Sequence, residues 1–316
     1  MLNILMIGAG GIGGYYSARL AEAGHQVVLT ARGEHLTALQ ENGLVVHYGE
    51  QNLSCQLPAV DHLALIQNYK SADFDVIIFA LKSTATQAVL DEIGSWLLAS
   101  KVSVLSIQNG VDNEPLIAAA IGEERVLGGL AVRIGGHIIK PGVIEAEGIA
   151  QIIMGEWPKA AVNPDARRPL LAKLKKAFDQ AGIPTTVTEA IGYELWRKLI
   201  INNGVNPISA LTGLDTKSLT QHPKFSQIVY GMMQETAAAA KADGLELGKK
   251  DVDEMFELIC NFNAIKTSML VDKEKGRPLE LDSIAGAVLR RSQLLEIEAP
   301  FTTTITALLE HLIVPS

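Results

Sequence analysis

The chain has 316 residues, of which 48% are hydrophobic and 20% charged, and its formal net charge is −8. Its length is about twice that of a typical domain and its composition suits packed globular domains, so we expect two domains rather than a disordered chain. The negative net charge argues against nucleic acid as a general partner, because an acidic surface repels phosphate backbones.

The first 121 residues alternate between short apolar strands and helices. Leu2 to Ile7 and Gln26 to Thr30 are predicted strands, and they flank a glycine-rich turn (8–14) and a helix over Tyr15 to Ala23. These elements form a crossover unit of about 30 residues. The other predicted elements are helix 34–41, strands 44–47 and 75–81, helix 84–98, strand 102–107 and a short helix ending at Ile121.

The next segment has a different pattern, because its apolar runs are short and divided by glycines and Pro141. We interpret residues 125–155 as antiparallel strands that close the sheet, followed by a helix over Pro164 to Gln180 and an edge strand over Pro184 to Val187. Beyond residue 188 only helical patterns remain, predicted over 189–206, 223–243, 252–271 and 281–295. The predicted fold class is α/β: a Rossmann-type doubly wound sheet domain over 1–187, then an all-helical domain over 188–316.

The sequence supports neither a metal site nor a membrane segment. Cys55 and Cys260 match no CxxC or other metal spacing and indicate ordinary thiols in a reducing compartment, and the seven histidines form no HExxH pattern. No run approaches the roughly 20 apolar residues that span a bilayer, and glycines end the N-terminal apolar run too early for a signal peptide. We therefore expect a cytoplasmic protein. Its mean hydropathy of +0.20 permits a homodimer without requiring one.

A glycine motif follows the first predicted strand. Gly8, Ala9, Gly10, Gly11, Ile12 and Gly13 match GxGxxG, the pattern in which glycines allow a tight turn, a close approach to pyrophosphate and close helix–strand packing. The following helix offers its N-terminal N–H groups and positive dipole end to phosphates. A tight packing turn is the alternative, but the strand–turn–helix context favours dinucleotide binding.

The end of the second strand points to NADP(H) rather than NAD(H). An NAD site usually carries Asp or Glu there, to hold the ribose hydroxyl, whereas this chain has Leu29-Thr30-Ala31-Arg32. Arg32 is suited to pair with a 2′-phosphate, although it can also be read as a solvated loop arginine. Lys82-Ser83 and Gln108-Asn109 follow two later strands, so the same edge of the sheet carries polar residues at three strand ends.

Four polar residues form a stripe on the first helix of the second domain. Glu194, Lys198, Asn202 and Asn206 are spaced by four and therefore share one face of an α-helix. Asparagine is a poor helix former and is costly when buried without a partner, so the stripe suggests a polar cleft. A solvent-facing stripe with a Glu194–Lys198 pair is the alternative interpretation.

Six segments, spread over nearly the whole length of the chain, carry a resemblance to a known family: GAGGIG (8–13), FALK (79–82), IQNG (107–110), ELWRKLIINNGVNP (194–207), TSML (267–270) and RPLELDSIAGAVLRR (277–291). With these segments the chain resembles the ketopantoate reductase (2-dehydropantoate 2-reductase) family. Two departures stand out. Gln108 ends the strand before the turn at 109, and Asn203-Gly204 lies within the stripe, where Gly204 is expected to loosen or kink the helix.

The resemblance implies a role for each matched residue. Lys198 would be the catalytic acid, and Glu280 would assist at the substrate hydroxyl. The glutamate can also be interpreted as a helix-capping residue. Lys82 and Asn109 would lie near the nicotinamide and the substrate. The implied substrate contacts are Asn109, Asn202, Asn206 and, for the carboxylate, Ser268.

The function implied is NADPH-dependent reduction of 2-dehydropantoate to (R)-pantoate, for pantothenate and coenzyme A synthesis. Negative charge develops on the ketone oxygen during such a reduction, and an ammonium such as that of Lys198 can stabilise it and donate a proton. Two alternatives stay open: reduction of another small branched or hydroxylated 2-oxo acid, and a non-catalytic NADP(H)-binding sensor. The presence of both Lys198 and Glu280 argues against the sensor.

Overall fold

The computed structural model describes residues 1–158 and 167–313. The chain divides into two compact units, the first comprising residues 1–108 and 113–191 and the second residues 109–112 and 192–316. The four residues Asn109–Asp112 thus group with the second unit, although the sequence around them belongs to the first. The domain boundary predicted between residues 187 and 188, which separates the sheet domain from the all-helical domain, stays a prediction. Among the described residues, none of the helices combines the length and the apolar character needed to span a bilayer.

The first unit is built on a single sheet. The strands of the described ranges are β1 (Asn3–Ile7), β2 (Gln26–Thr30), β3 (Leu44–Tyr48), β4 (Gln51–Cys55), β5 (Ala59–Val60), β6 (Val76–Phe79), β7 (Ser103–Ser106), β8 (Val126–Lys140), β9 (Val143–Glu156) and β10 (Thr185–Val187). Their order is β4-β3-β9-β8-β7-β6-β1-β2-β5, and β10 pairs with β9. The predicted parallel sheet is therefore confirmed in its centre, where β2, β1, β6 and β7 are parallel neighbours.

The central parallel strands β1 and β6 are buried on both faces of the sheet. Residues 4–7 and 76–79 are at most 1% exposed, which explains why these strands appear in the sequence as unbroken apolar runs. The register places Ile7 opposite Thr30 and Phe79, so β1, β2 and β6 end level with one another. The residues that follow these strands consequently share one edge of the sheet.

The glycine-divided segment after residue 125 differs from its prediction. Instead of several short strands it forms two long antiparallel strands, β8 and β9, with register irregularities near Arg133 and Ile138. This hairpin lies inside the sheet, between β7 and β3, and does not close an edge. Several of its glycines are places where another backbone comes close: a Cβ on Gly136, for example, would lie 2.9 Å from the carbonyl carbon of Gly11. The glycines that looked like strand breaks therefore mark close packing.

The helices of the first unit cover the sheet. They are α1 (Gly11–Glu22), α2 (Gly33–Asn42), α3 (His62–Asn68), α4 (Thr86–Leu98), α5 (Asn113–Ile121) and α6 (Arg168–Gln180). Helix α1 begins at Gly11 rather than at Tyr15 as predicted, because the last glycines of the motif already adopt helical geometry. Pro164, where the helix observed as α6 was predicted to start, lies outside the described residues.

The regular secondary structure in the described part of the second unit consists of helices, as predicted. Its α-helices are α7 (Ile191–Thr212, beginning at the last residue of the first unit), α8 (Thr216–Gln221), α9 (Phe225–Ala239), α10 (Lys249–Cys260), α11 (Ser268–Glu274), α12 (Ala287–Leu294) and α13 (Pro300–Ile313). A π-helical turn, Asp282–Gly286, leads directly into α12. Helices α8 and α13 were not predicted.

Two helix predictions in this unit were wrong in their extent. Helix α7 was expected to end at Asn206 but continues through Pro207, because Val205, Ile208 and Ala210 are almost fully buried and packing outweighs the proline. The helix predicted over 252–271 is two helices, since α10 ends at Cys260 and α11 starts only after Thr267, whose hydroxyl caps it by accepting from the Leu270 N–H.

Candidate active site

The glycine loop joins β1 to α1 in a tight turn. Gly8 has a φ of +103°, a conformation that favours glycine, and its N–H donates to the Thr30 hydroxyl at 3.0 Å. The Ala9 N–H donates to the Thr30 carbonyl at 2.9 Å, and Gly14 N–H donates to the Gly10 carbonyl at 2.7 Å as the first turn of α1. The end of β2 thus holds the loop in place at the start of the helix.

The glycines of the motif serve different purposes. A Cβ on Gly13 would lie 2.0 Å from the Gly8 carbonyl oxygen, and one on Gly11 would lie 2.0 Å from the Gly136 carbonyl carbon, so both allow backbones to pack closely. A Cβ on Gly10, by contrast, would meet no described atom within 4 Å. The loop therefore leaves open space at the second glycine, which is where the motif lets a pyrophosphate approach the backbone. These residues fit a bound dinucleotide.

One loop contact was missed at the sequence level. His35, in α2, accepts a hydrogen bond from the Gly142 N–H on its Nδ1 (3.0 Å), so its Nε2 carries the proton and donates to the Ala9 carbonyl (2.8 Å). Because the Ala9 carbonyl is held on this side, the peptide N–H that follows it points the other way. His35 therefore orients the Ala9–Gly10 peptide. Its contacts come from segments far apart in sequence, so no local pattern could reveal it.

The cationic residues at the strand ends are exposed. Arg32 immediately precedes α2, its side chain is 62% exposed, and its guanidinium lies 3.9 Å from the Glu92 carboxylate of α4. The Glu92 carboxylate also contacts the His62 ring. Sequence patterns indicated neither Glu92 nor His62. Lys82 follows β6 and is likewise exposed. The backbone of β2 and β6 thus brings both cations to the same sheet edge as the glycine loop.

The third strand end separates two amides that are neighbours in sequence. Gln108 is buried and structural, because its Nε2 donates to the Leu81 carbonyl (3.0 Å) and to the Thr86 hydroxyl (2.8 Å). Asn109 belongs to the second unit, and its Nδ2 donates to the Glu280 carboxylate at 3.3 Å. Asn109 is therefore the amide of this pair that reaches another predicted site residue.

Helix α7 carries the predicted stripe, and part of that stripe is buried. Asn206 is only 5% exposed, and Lys198 and Asn202 are partly buried, so the stripe is not simply solvent-facing. Burial lowers the pKa of Lys198 to about 8, although the nearby Glu280 carboxylate raises it. The ammonium group thus has a proton that it can release near neutral pH.

Glu280 lies beside the π-helical turn. It is 4% exposed, its backbone carbonyl accepts from the Ile284 N–H at 3.1 Å, and its carboxylate accepts from Asn109. Its backbone is therefore part of the helix start, while its carboxylate makes contacts outside the helix. Because π-helical turns are frequent at functional sites, the location supports a functional role. Three distant segments thus bring Asn109, Lys198 and Glu280 together in the second unit.

Ser268, the remaining predicted substrate residue, lies in a more exposed position than Asn109, Asn202 and Asn206. Ser268 is exposed and is the first residue of α11, which Thr267 caps, so the prediction that places it within one helix over 252–271 was wrong. The predicted loosening at Gly204 was also wrong. Helix α7 is continuous there, and a Cβ on Gly204 would lie 2.7 Å from the Met233 side chain, so the glycine allows α7 and α9 to pack closely.

Asn203, next to the stripe, has a structural role. It is fully buried, and its Nδ2 donates to the hydroxyls of Thr236 (2.9 Å) and Thr302 (3.1 Å). These contacts connect α7 with α9 and α13. Asn202 and Asn206 therefore stay the amides of α7 that are candidates for substrate contact.

The fold and these side chains define an oxidoreductase of the dinucleotide-binding class. A glycine loop suited to pyrophosphate lies in the first unit, and a lysine with a lowered pKa lies beside a buried carboxylate in the second. The described residues contain no group of three or more His, Cys, Asp or Glu side chains arranged to hold a metal ion.

Comparisons with known proteins identify the family. The family model "Ketopantoate reductase PanE/ApbA" matches residues 4–159, and its C-terminal companion matches residues 190–312. The chain belongs to the ketopantoate reductase family, whose members depend on a nicotinamide dinucleotide and act on a small keto acid.

Three individual proteins illustrate the similarity. A 2-dehydropantoate 2-reductase of Mesorhizobium japonicum is 30% identical over 99% of this chain and 98% of its own. A crystal structure of 2-dehydropantoate 2-reductase from Methylococcus capsulatus is 29% identical with a TM-score of 0.85, covering 100% of this chain and 99% of its own. A ternary structure of D-mandelate dehydrogenase with NADH and anilino(oxo)acetate has a TM-score of 0.87 but 23% identity, covering 98% of each chain. That last likeness concerns the fold alone.

Proposed function

We propose that the protein reduces 2-dehydropantoate to (R)-pantoate with NADPH, a step that supplies pantothenate and coenzyme A synthesis. The observation that carries the proposal is the cluster of Lys198, Glu280 and Asn109, assembled from three distant segments of a chain of this family. A lysine with a lowered pKa beside a buried carboxylate suits proton transfer to a developing alkoxide.

The dinucleotide is assigned to the first unit. Gly8 to Gly13 and the N-terminus of α1 hold its pyrophosphate, Arg32 pairs with the 2′-phosphate, and Lys82 contributes a further positive charge. When bound, the cofactor supplies the hydride that reduces the ketone carbon. The choice of NADPH over NADH rests on Arg32 and on the absence of a carboxylate in residues 29–32.

Lys198 acts as the general acid. Its ammonium stabilises negative charge on the substrate oxygen and donates the proton that completes the hydroxyl group. Partial burial serves this role in two ways, because it strengthens the electrostatic attraction and brings the pKa of the lysine to about 8. At neutral pH the group is mostly protonated and yet able to release its proton.

The remaining polar groups orient the substrate. The Glu280 carboxylate accepts a hydrogen bond from the substrate hydroxyl, and Asn109, which contacts that carboxylate, keeps it oriented. Asn202 and Asn206 lie one and two turns beyond Lys198 on α7 and are assigned to the polar end of the substrate. Ser268, exposed at the start of α11, is assigned to the carboxylate.

The direct test of the activity follows NADPH absorbance with the purified protein, in parallel with NADH. We expect turnover with 2-dehydropantoate, and a much lower kcat/KM with trimethylpyruvate, which has the branched skeleton without the hydroxyl. A buried carboxylate left without its hydroxyl partner disfavours the second acid. Equal or better kcat/KM on another 2-oxo acid would instead support the broader reductase alternative, and NADPH binding without any turnover would support a sensor.

Arg32 provides a separate prediction about the cofactor. Replacing Arg32 with alanine is expected to raise the KM for NADPH about 10-fold to 100-fold and to leave the KM for NADH nearly unchanged, since only NADPH carries the 2′-phosphate. Arg168→Ala is a matched control. Arg168 is 56% exposed and lies 3.6 Å from the Glu189 carboxylate, much as Arg32 lies near Glu92. An unchanged NADPH/NADH preference in Arg32→Ala would contradict the assignment.

A further inference from the structure

We propose that Asp112 and Arg291 form a clamp that positions Asn109 against the Glu280 carboxylate. Neither residue belongs to the predicted site, and both act through other side chains, so they are positioning residues. The proposal rests on the function proposed above, because its readout is turnover. It concerns only residues of the second unit.

The Asp112 carboxylate is shared by two neighbouring arginines of α12. Its Oδ1 accepts from Arg291 at 2.7 Å, and its Oδ2 accepts from Arg290 at 2.8 Å. The segment Asn109–Asp112 is thereby fastened at its end, while Asn109 contacts Glu280 at its beginning. Charge-assisted hydrogen bonds of this kind are stronger and more directional than neutral ones.

The backbone in the middle of the segment 109–112 has little conformational freedom. Gly110 has a φ of +94°, and a Cβ there would lie 2.9 Å from the Ser283 carbonyl oxygen, within the π-helical turn. The segment therefore lies directly against the turn that follows Glu280. Any shift of Asp112 along α12 changes the position of Asn109 relative to that carboxylate.

Arg291 is itself held firmly. Its side chain is only 10% exposed, its Nε donates to both carboxylate oxygens of Asp243 at 2.9 Å, and its guanidinium carbon lies 5.4 Å from the centroid of the Trp196 ring. The Trp196 indole N–H donates to Asp243 at 3.1 Å. Because Trp196 precedes Lys198 by two residues on α7, one guanidinium connects the Asn109 segment, the helix after Glu280 and the helix of the proposed acid.

The network is better explained by positioning than by stability. Arg291 is largely buried, but the carboxylates of Asp112 and Asp243 are 27% and 32% exposed. Exposed ion pairs contribute little to stability, and replacing buried ones with apolar side chains is often neutral or stabilising, so the network is weak evidence of a stabilising role. Displacement of a reacting or orienting group by about 1 Å can cost about 100-fold in rate. A clamp that fixes Asn109 to within a fraction of that distance has a direct effect on turnover.

The test combines single variants with a double-mutant cycle. Asp112→Asn and Arg291→Met are each expected to lower kcat for 2-dehydropantoate about 10-fold or more, with the KM for NADPH within about twofold of wild type. If Asp112 acts through Asn109, then Asp112→Asn in an Asn109→Ala background should lower kcat by less than about twofold. A purely structural role predicts the same factor in both backgrounds, and that result would overturn the proposal.

A matched control separates positioning from general destabilisation. Arg197 on α7 also pairs with a carboxylate, Glu254 at 2.7 Å, and lies over an aromatic ring, Tyr193, at 5.5 Å. Arg197→Met should keep kcat within about twofold of wild type whatever its Tm. Equal loss of kcat in Arg197→Met and Arg291→Met would refute the clamp. Wild type is assayed first, since absence of turnover there would refute the proposed function and not the clamp.

Discussion

Replacement of Lys198 by methionine is expected to lower kcat for 2-dehydropantoate by about 1000-fold, with the fold intact. Methionine keeps much of the apolar length of the side chain but has no proton to donate and no charge to offset that of the alkoxide, and general acids contribute about 100-fold to 10,000-fold. The loss should fall on kcat more than on NADPH binding, because the cofactor is assigned to the first unit. The measurements are steady-state kinetics, NADPH titration by fluorescence and a thermal melt.

Lys273→Met is the control for this substitution. Lys273 lies in the same unit, is also partly buried, and donates to the Ala210 carbonyl at 2.6 Å, but it has no assigned role in the reaction. We expect it to keep kcat within about threefold of wild type. Near-normal turnover in Lys198→Met, with Lys273→Met behaving alike, would show that another group is the acid.

The pH dependence gives a second readout of the same group. Because burial lowers the pKa of Lys198 to about 8, kcat/KM should be level below that pH and fall tenfold per pH unit above it, as the acid loses its proton. Glu280 raises this pKa, so Glu280→Gln should move the fall to lower pH, in addition to lowering the rate. A fall that moves to higher pH in Glu280→Gln would contradict the assignment of the pair.

Local sequence patterns were sufficient to predict the parallel strands at the centre of the sheet. Strands such as β1 and β6 are buried on both faces, so their composition is dictated by burial alone and appears as a continuous apolar run. The glycine motif is also recognisable locally, from its position between β1 and α1, although Gly8 and Gly11 face residues distant in sequence and Gly10 faces open space. The same holds for the strand-end rule, which placed Arg32, Lys82 and Asn109 correctly at the ends of their strands.

The features that were missed depend on contacts between distant segments. The hairpin of β8 and β9 inserts between β7 and β3, and nothing within residues 126–156 specifies those neighbours. Helix α7 passes through Pro207 because other helices bury the residues around it, which a local propensity cannot anticipate. Tertiary packing, rather than the segment itself, decided both outcomes.

In the candidate site, too, local patterns predicted some features, whereas others depend on contacts between distant segments. The i, i+4 spacing of Lys198, Asn202 and Asn206 is a local signal, and it placed the three residues on one face of a helix. The contact of Asn109 with Glu280, by contrast, joins residues 171 positions apart and was not predicted; the strand-end rule indicated Asn109, and the resemblance to a family indicated Glu280. Residues that act through other side chains, such as His35 and Asp112, were indicated neither by a local pattern nor by the resemblance.

The glycine loop leads to the second large effect. Gly10→Ala is expected to raise the Kd for NADPH about 100-fold, nearly 3 kcal/mol, while leaving the Tm close to that of wild type. Gly10 has φ −71° and ψ −172°, an extended conformation that alanine adopts readily, and its Cβ would meet no described atom within 4 Å. The added methyl therefore costs the folded protein little and obstructs only what approaches the loop from outside. Fluorescence titration with NADPH and a thermal melt measure the two quantities.

Gly248 is a closely matched control for Gly10. It also immediately precedes a helix, α10, has φ −112° and ψ −171°, and leaves a Cβ without a described neighbour within 4 Å. Gly248→Ala should therefore reproduce any general effect of removing a glycine before a helix, with the Kd for NADPH unchanged. If Gly10→Ala binds NADPH as tightly as Gly248→Ala does, the open space at Gly10 is not where the pyrophosphate lies. The loop would then be a packing turn, and the nucleotide would have to be held by other residues of the first unit.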